Sequence, residues 1–308
     1  MKNQILVAGS VAFDILFPIQ GDIRKEIPLK NGKLRSVNMT FLARKSKYYY
    51  GGTAANIAYG LGIQGFNPIM FSAVGYDFKK DFQKHLEKNR VVCKPIVGGK
   101  KTETAKSFQI SDEIYQQITI FQANHYGDRI DDMSIYETIA KSDIKNIKIA
   151  IFSPGNNTST LNNIQEFRRI NDKATVIFDP GMNVTTFSKE DIIECISLSN
   201  ILISNDTEIL RIRKVHGLTI NELIKVGLKY VIETKGEKGS VIHTKSKKIK
   251  INARKPRKVV ETTGAGDAYR AGMIAGLLKG KNIKDACKVG SIISSKCVEE
   301  YGGQGYKL

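Results

Sequence analysis

Val259-Val260-Glu261-Thr262-Thr263-Gly264-Ala265-Gly266-Asp267-Ala268-Tyr269-Arg270-Ala271-Gly272 passes from apolar, β-branched residues through a turn of small residues into a helix-forming run that reaches Leu278. This reading places Gly264, Ala265 and Gly266 at a helix N-terminus. The first amides of a helix have no internal acceptor, and the helix dipole favours negative charge there. Glycines let such a backbone approach a ligand closely, which suits phosphate. Asp267 then stands in the first turn, beside the place a phosphate would take. A carboxylate repels phosphate, so its presence has to be explained. It can accept the proton of a hydroxyl that attacks phosphorus. It can also be no more than a favourable charge at a helix start, with the glycines making a tight turn.

Working outward, a second stretch has the same design. In Tyr50-Gly51-Gly52-Thr53-Ala54-Ala55-Asn56-Ile57-Ala58-Tyr59-Gly60-Leu61 two glycines precede a helix of small residues. The Gly60-Leu61-Gly62-Ile63-Gln64-Gly65 run that follows is formally GxGxxG, but it closes a helix, whereas a dinucleotide fingerprint follows a strand and opens one. No GxxxxGK[ST] pattern occurs, which argues against a P-loop enzyme. Near the N-terminus, the apolar run Ile5 to Gly9 reads as a buried strand rather than a signal peptide. Asp14 follows it among Phe13, Ile15, Leu16 and Phe17. A carboxylate there costs free energy unless it is paired or binds something, though an Asp can also satisfy the amides of a turn. From residue 147 the rhythm is strand, polar turn, helix, with turns at Ser153-Pro154-Gly155, Asp179-Pro180-Gly181, Ser204 to Glu208 and Thr234 to Gly239. Such turns at successive strand ends are where open α/β sheets bind ligands.

Thr262 to Tyr269 and Gly51 to Asn56 together resemble the two signatures of the ribokinase (PfkB) family of carbohydrate and nucleoside kinases. The resemblance spans nearly the whole chain, with the motifs in the family's order. It implies a three-layer αβα fold with a mostly parallel central sheet and a small β lid, formed by about 14–50 and 98–126, within one domain over 1–308. It implies that Asp267 is the catalytic base and that the amides of Gly264, Ala265 and Gly266 form an anion hole. It implies that Asp14, Gly51, Gly52 and Asn56 contact the sugar. Asn205 and Glu208 resemble an Asn-x-x-Glu element that organises Mg²⁺ and phosphates through water. They also read as an N-cap with its partner in the first helical turn. Thr234, Gly236 and Gly239 resemble the loop that accommodates ATP. The helix from Ile283 to Glu300 would border the adenine. Two residues depart from the family's pattern. Tyr269 stands for Phe and keeps the ring. Glu261 stands for Asp, which leaves open how K⁺, a monovalent cation bound near this loop in many members, would be held.

Val37-Asn38-Met39-Thr40-Phe41-Leu42 alternates in character. It could present Met39 and Phe41 to the flat face of a ligand, or pack the lid. This stretch and Asp179-Pro180-Gly181 look most like the nucleoside and adenosine kinases of the family. The resemblance therefore implies ATP-dependent phosphorylation of a nucleoside 5′-hydroxyl, with adenosine the expected substrate. A free sugar such as ribose or fructose is the alternative, and a catalytically idle binding protein retaining the fold is the alternative from another class.

Composition sets outer limits. The chain has 308 residues, 41% of them hydrophobic, enough for a large core. No apolar run approaches the ~20 residues of a membrane span. Cys93, Cys195, Cys287 and Cys297 show neither paired nor metal-ligand spacing, as in free thiols of a reducing cytoplasm. The net charge of +18 invites a nucleic-acid hypothesis. Its densest cluster, Lys245 to Lys258, is broken by Ile249 and Ile251 in alternation, which reads as an exposed strand. A general attraction for anionic small molecules is expected, with no specific nucleic-acid partner and no membrane. Monomer and homodimer both remain open.

Overall fold

Every residue of strand β1 (Ile5–Ala8) is buried, which its apolar composition requires of a strand covered on both faces. Ile5 and Val7 point into one hydrophobic core, and Leu6 and Ala8 into a second. The same split recurs in the neighbouring strands, so this sheet is the middle layer of three. A computed structural model describes residues 4–26, 29–30, 33–34, 39–98, 101–114, 116–123 and 133–308. Val37, Asn38 and His125 lie outside the described residues, as do parts of the two expected lid segments.

After β1 the chain forms β2 (Ala12–Pro18), β3 (Leu29–Lys30), β4 (Lys33–Leu34), β5 (Lys47–Gly51) and helix α1 (Thr53–Gly62). Then come β6 (Ile69–Phe71), β7 (Ala73–Val74), α2 (Phe82–Lys88), β8 (Val92–Cys93), β9 (Ile96–Val97), β10 (Ala105–Ser111) and β11 (Gln117–Gln122). The second half alternates: α3 (Lys141–Asn146), β12 (Ile149–Phe152), α4 (Asn157–Ile170), β13 (Thr175–Phe178), α5 (Lys189–Ser197) and β14 (Ile201–Asn205). It continues with α6 (Asp206–His216), α7 (Ile220–Val226), β15 (Tyr230–Thr234), β16 (Ser240–His243) and β17 (Lys248–Ile251). It ends with α8 (Ala265–Leu278) and α9 (Ile283–Cys297).

Among the described residues the central sheet runs β17-β16-β15-β14-β13-β12-β1-β6-β8. All pairs are parallel except the β15–β16 and β16–β17 hairpins. From β1 the chain builds outward to β6 and β8 on one side, and from β12 to β17 on the other. The sequence order reverses between β1 and β12, and ligands of open α/β sheets bind beyond the strand ends at such a point. Helices α1, α2, α8 and α9 cover one face, and α3 to α7 the other. The expected three-layer αβα fold is therefore present. The GxGxxG run closes α1, as its spacing suggests.

A separate four-stranded sheet, β11-β10-β2-β5, branches from the end of β1. Asp14 on β2 lies opposite Tyr49 on β5 and Ser107 on β10. Ile120 and Tyr48 on this sheet are largely exposed. The lysine-rich segment is the edge strand β17, where Lys248 and Lys250 are exposed and Ile251 is buried. Charged side chains on an edge strand discourage pairing with another chain. None of the four cysteines is in a disulfide. No helix among the described residues is long and apolar enough to cross a membrane.

Two runs each fold as two pieces. The run Asn67 to Val74 splits into β6 and β7, which pair with β8 and β9 respectively. The run Phe78 to Asn89 splits into a 3₁₀ turn at Tyr76–Lys79 and helix α2. Phe78 and Phe82 are both buried, so burial holds the two pieces on one face despite the break.

Candidate active site

Helix α8 begins where the glycines place it. Gly264 has φ +77° and ψ −3°, a left-handed conformation that other residues adopt only under strain. A Cβ there would also lie 2.4 Å from the Cα of Gly303. The Ala265 N–H turns back to the Thr262 carbonyl at 3.2 Å. Ala265 thus shapes the turn, and its amide is not a free donor as expected. Among the described residues, the amides of Gly264, Gly266 and Asp267 meet no protein acceptor. They are bare donors at a positive helix end, as an anion site requires.

Glu261 closes this turn. Its Oε1 accepts the Thr263 N–H at 2.7 Å, and its Oε2 accepts the Gly302 N–H at 2.8 Å. The extra methylene relative to Asp gives the carboxylate reach to both segments.

Asp267 sits half-buried in the first turn of α8, and its Oδ2 accepts a hydrogen bond from Asn56 Nδ2 at 2.8 Å. Loss of surrounding water raises its pKa to about 6, against the pull of the Arg270 guanidinium and of Asn56. The expected sugar contact by Asn56 would have to come from the second N–H of this amide. One N–H of its side chain goes to Asp267, and its Oδ1 accepts from Gln304 Nε2 at 3.0 Å. Asn56 lines the cavity, and its side chain is bonded to the Asp267 carboxylate.

Asp14 is 5% exposed and its carboxylate has no hydrogen bond among the described residues. Burial raises its pKa to about 7, with the negative charges of Asp267 and Glu261 adding to the effect. A buried carboxylate without a partner is costly, and hydroxyl donors from a ligand would relieve it. Gly51 leaves its room, since a Cβ there would fall 2.0 Å from Asp14 Oδ2.

Asp14 and Asp267 open into one cavity of about 1060 Å³. It runs from Asp14 and Phe121, past Gly264 to Asp267, to Thr234, Gly236, Gly239, Ser291 and Val298. Gly52, Asn205 and Glu208 line it as well. Met39 and Phe41 do not line it. The alternating pattern around them could not say which face would meet a ligand. Its larger apolar lining residues include Phe121, Met133 and Met182.

Asn205 and Glu208 form the capping pair that their spacing allows. Asn205 Oδ1 accepts the Glu208 N–H, and Glu208 Oε2 accepts the Asn205 N–H, both at 2.8 Å. Glu208 Oε1 has no partner among the described residues. Its pKa is raised, first by burial and then by Asp179. Thr234 ends β15, and the Lys235 N–H bonds the Gly239 carbonyl at 2.8 Å, which closes the glycine loop beyond it.

Sequence reasoning missed Gln109, Gln304 and the pair Asp179–Arg270. Gln109 Oε1 on β10 accepts from Thr263 Oγ1 at 3.0 Å, joining the small sheet to the turn before α8. Arg270 pairs with Asp179 inside the cavity wall. Its place three residues after Asp267, hence on the same helix face, was the available signal.

The arrangement predicts a pH profile. A base must be ionised to accept a proton, and both carboxylates have raised pKa values, about 6 for Asp267 and about 7 for Asp14. Activity is therefore expected on the alkaline side and lost as pH falls through that range. The two groups interact, so the apparent values belong to the pair. A kcat/KM profile flat down to pH about 4, the ordinary range of a carboxylate, would place the base elsewhere.

Residues 28–307 match the family described as pfkB family carbohydrate kinase. A nucleoside kinase of Methanocaldococcus jannaschii is 32% identical over 309 residues, covering 98% of this chain and 92% of that protein. A nucleoside kinase of Methanothermobacter thermautotrophicus is 29% identical, covering 98% and 91%. Among solved structures, the M. jannaschii nucleoside kinase, described as an archaeal member of the ribokinase family, aligns with TM-score 0.80 at 28% identity over 99% of this chain and 95% of that one. Burkholderia thailandensis nucleoside kinase in complex with inosine aligns with TM-score 0.84 at 24% identity over 98% and 93%.

Proposed function

Because the chain belongs to the pfkB family of carbohydrate kinases, we propose that it transfers the γ-phosphoryl group of ATP to the 5′-hydroxyl of a nucleoside, adenosine in the first instance. The observation that carries this is the single cavity shared by Asp14, Asp267 and the bare amides of Gly264 and Gly266. Its volume admits an acceptor and a nucleotide end to end. The full-length similarity to nucleoside kinases supports a nucleoside acceptor. Phe121, Met133 and Met182 supply apolar surface at the Asp14 end, suited to the face of a purine.

In this mechanism Asp14 accepts hydrogen bonds from the sugar hydroxyls and fixes the nucleoside. Asn56 holds the Asp267 carboxylate toward the 5′-oxygen. Asp267 takes the hydroxyl proton as that oxygen closes on phosphorus. The amides of Gly264, Gly266 and Asp267 receive the charge on the phosphoryl oxygens. Such a transfer asks mainly for positioning and electrostatic stabilisation, which fixed main-chain donors supply without reorganising. The Thr234 to Gly239 loop and the α9 face carrying Ser291 bound the nucleotide end.

Glu208 fits a hydrated Mg²⁺, because one oxygen is fixed by the Asn205 amide and the other is left without a partner. Bound there through water, Mg²⁺ would neutralise phosphate charge. Both oxygens of Glu261 already accept a main-chain N–H, so a K⁺ ion beside this turn would have to share them. K⁺ therefore has no step in the mechanism.

A coupled assay of ADP release across adenosine, inosine, cytidine, ribose and fructose tests the acceptor. Turnover is expected on the nucleosides, highest on adenosine. Activity on free sugars with none on nucleosides would reject the assignment.

A further inference from the structure

Arg270 is 7% exposed and lies in the cavity wall one helical turn beyond Asp267. Its Nη2 donates to Asp179 Oδ1 at 3.0 Å, and its Nε pairs with Asp179 Oδ2. Asp179, at 1% exposure, faces it from the end of β13. One guanidinium nitrogen is thereby hydrogen-bonded to Asp179 and a second is ion-paired with it. The third, Nη1, has no acceptor among the described residues. It lies against Gly266, where a Cβ would come within 2.8 Å of it. A free pair of N–H donors therefore stands beside the bare amides of the anion site.

An arginine held only to neutralise a buried aspartate does not need a nitrogen left open toward a cavity. Nor would it need a glycine as its neighbour. Lysine could not do the same, since it lacks the fork that fixes one side of the group while presenting the other.

We propose that Arg270 is a further catalytic residue, whose Nη1 contacts the γ-phosphoryl group during transfer while Asp179 holds the guanidinium in place. This rests on the kinase reading above. As the acceptor oxygen bonds to the γ-phosphorus, its proton passes to Asp267. The bond from that phosphorus to the bridging oxygen breaks, and the electron pair leaves with ADP. Negative charge spreads over the three remaining phosphoryl oxygens. Arg270 meets one of them with a positive charge that comes from the same chain, next to the amides of Gly264 and Gly266. Arginines used in this way are worth large factors in phosphoryl transfer.

The test compares calorimetric binding of the ATP analogue AMP-PNP and of ADP to the full chain and to three variants, with turnover measured on each. Arg270→Gln removes the charge, and Arg270→Lys keeps charge without the fork. The double variant Asp179→Asn/Arg270→Gln removes both charges, so that no carboxylate is stranded and folding is preserved. In Arg270→Gln and in the double variant, AMP-PNP is expected to weaken by about tenfold, the cost of one lost charged contact, with ADP unchanged. Turnover is expected to fall roughly a hundredfold or more. Arg270→Lys should recover part of the AMP-PNP affinity at most. If AMP-PNP and ADP weaken alike, or neither changes, Arg270 is a structural ion-pair partner only and the proposal is wrong. If the wild-type protein phosphorylates no nucleoside but the AMP-PNP contrast holds, the acceptor assignment falls and the role of Arg270 stands.

Discussion

Asp267→Asn is expected to bind nucleoside and nucleotide normally and to lose turnover roughly a thousandfold. The substitution keeps the shape of the side chain and removes only its capacity to take a proton. Asn56 Nδ2 donates to Asp267 Oδ2, and the amide oxygen of the variant can still accept that bond. The first turn of α8 should therefore hold its geometry. At neutral pH, burial and the neighbouring Asp179 and Glu208 charges already strain the ionised form, so the variant should fold at least as well as the wild type. A thousandfold loss is about 4 kcal/mol of transition-state stabilisation. It should appear in kcat, with KM for both substrates little changed, because the lost interaction is made only as the proton moves. A variant that turns over near the wild-type rate would remove Asp267 from the role of base.

Asp14→Asn is the second large effect, and its signature is the opposite. It should lower kcat/KM for the nucleoside roughly a hundredfold, mostly through KM, because a carboxylate accepting two hydroxyl donors is replaced by a group that accepts less well. It should also make the unliganded protein more stable. The wild-type carboxylate is buried, has no partner among the described residues and has a pKa raised to about 7. Its folded pKa lies above the unfolded value, so its favourable contribution is complete only below the unfolded value of 3.8 and is lost as pH rises through about 7. Asp14→Asn should therefore gain on the order of 4 kcal/mol at alkaline pH and nothing in strong acid. Thermal melts across pH would show this. A variant less stable than wild type at pH about 8, above the raised value, would mean that Asp14 has a structural partner.

The two glycine signatures were legible because each combines a local composition with a position on the chain. Small residues ahead of a helix-forming run imply exposed amides wherever the helix later packs. The alternation of strand and polar turn likewise implied a parallel sheet with its ligands at the strand ends. What escaped was whatever depends on a partner far along the chain. Asn56 reads locally as a first-turn residue. Its two hydrogen bonds go to Asp267 and Gln304, which are 211 and 248 residues away, and no local period announces them. Glu261 read as a departure at a cation position, while its contact with the Gly302 N–H emerges only when the loop after α9 folds back. Met39 and Phe41 show the limit of alternation, which predicts two faces without saying what lies beyond either.

The return of residues 302–306 to Asn56 and Gly264 straps the two glycine-led helices together. Gln304 steadies Asn56, Gly303 packs on Gly264, and the Tyr306 carbonyl accepts the Tyr59 hydroxyl at 2.8 Å. Without these three contacts the bare amides of Gly264 and Gly266 would remain, but Asn56, Gly264 and Tyr59 would each lose a neighbour. Substitutions in this strap are therefore expected to disturb the start of α8 and the start of α1 together, although the two helices are some two hundred residues apart in sequence.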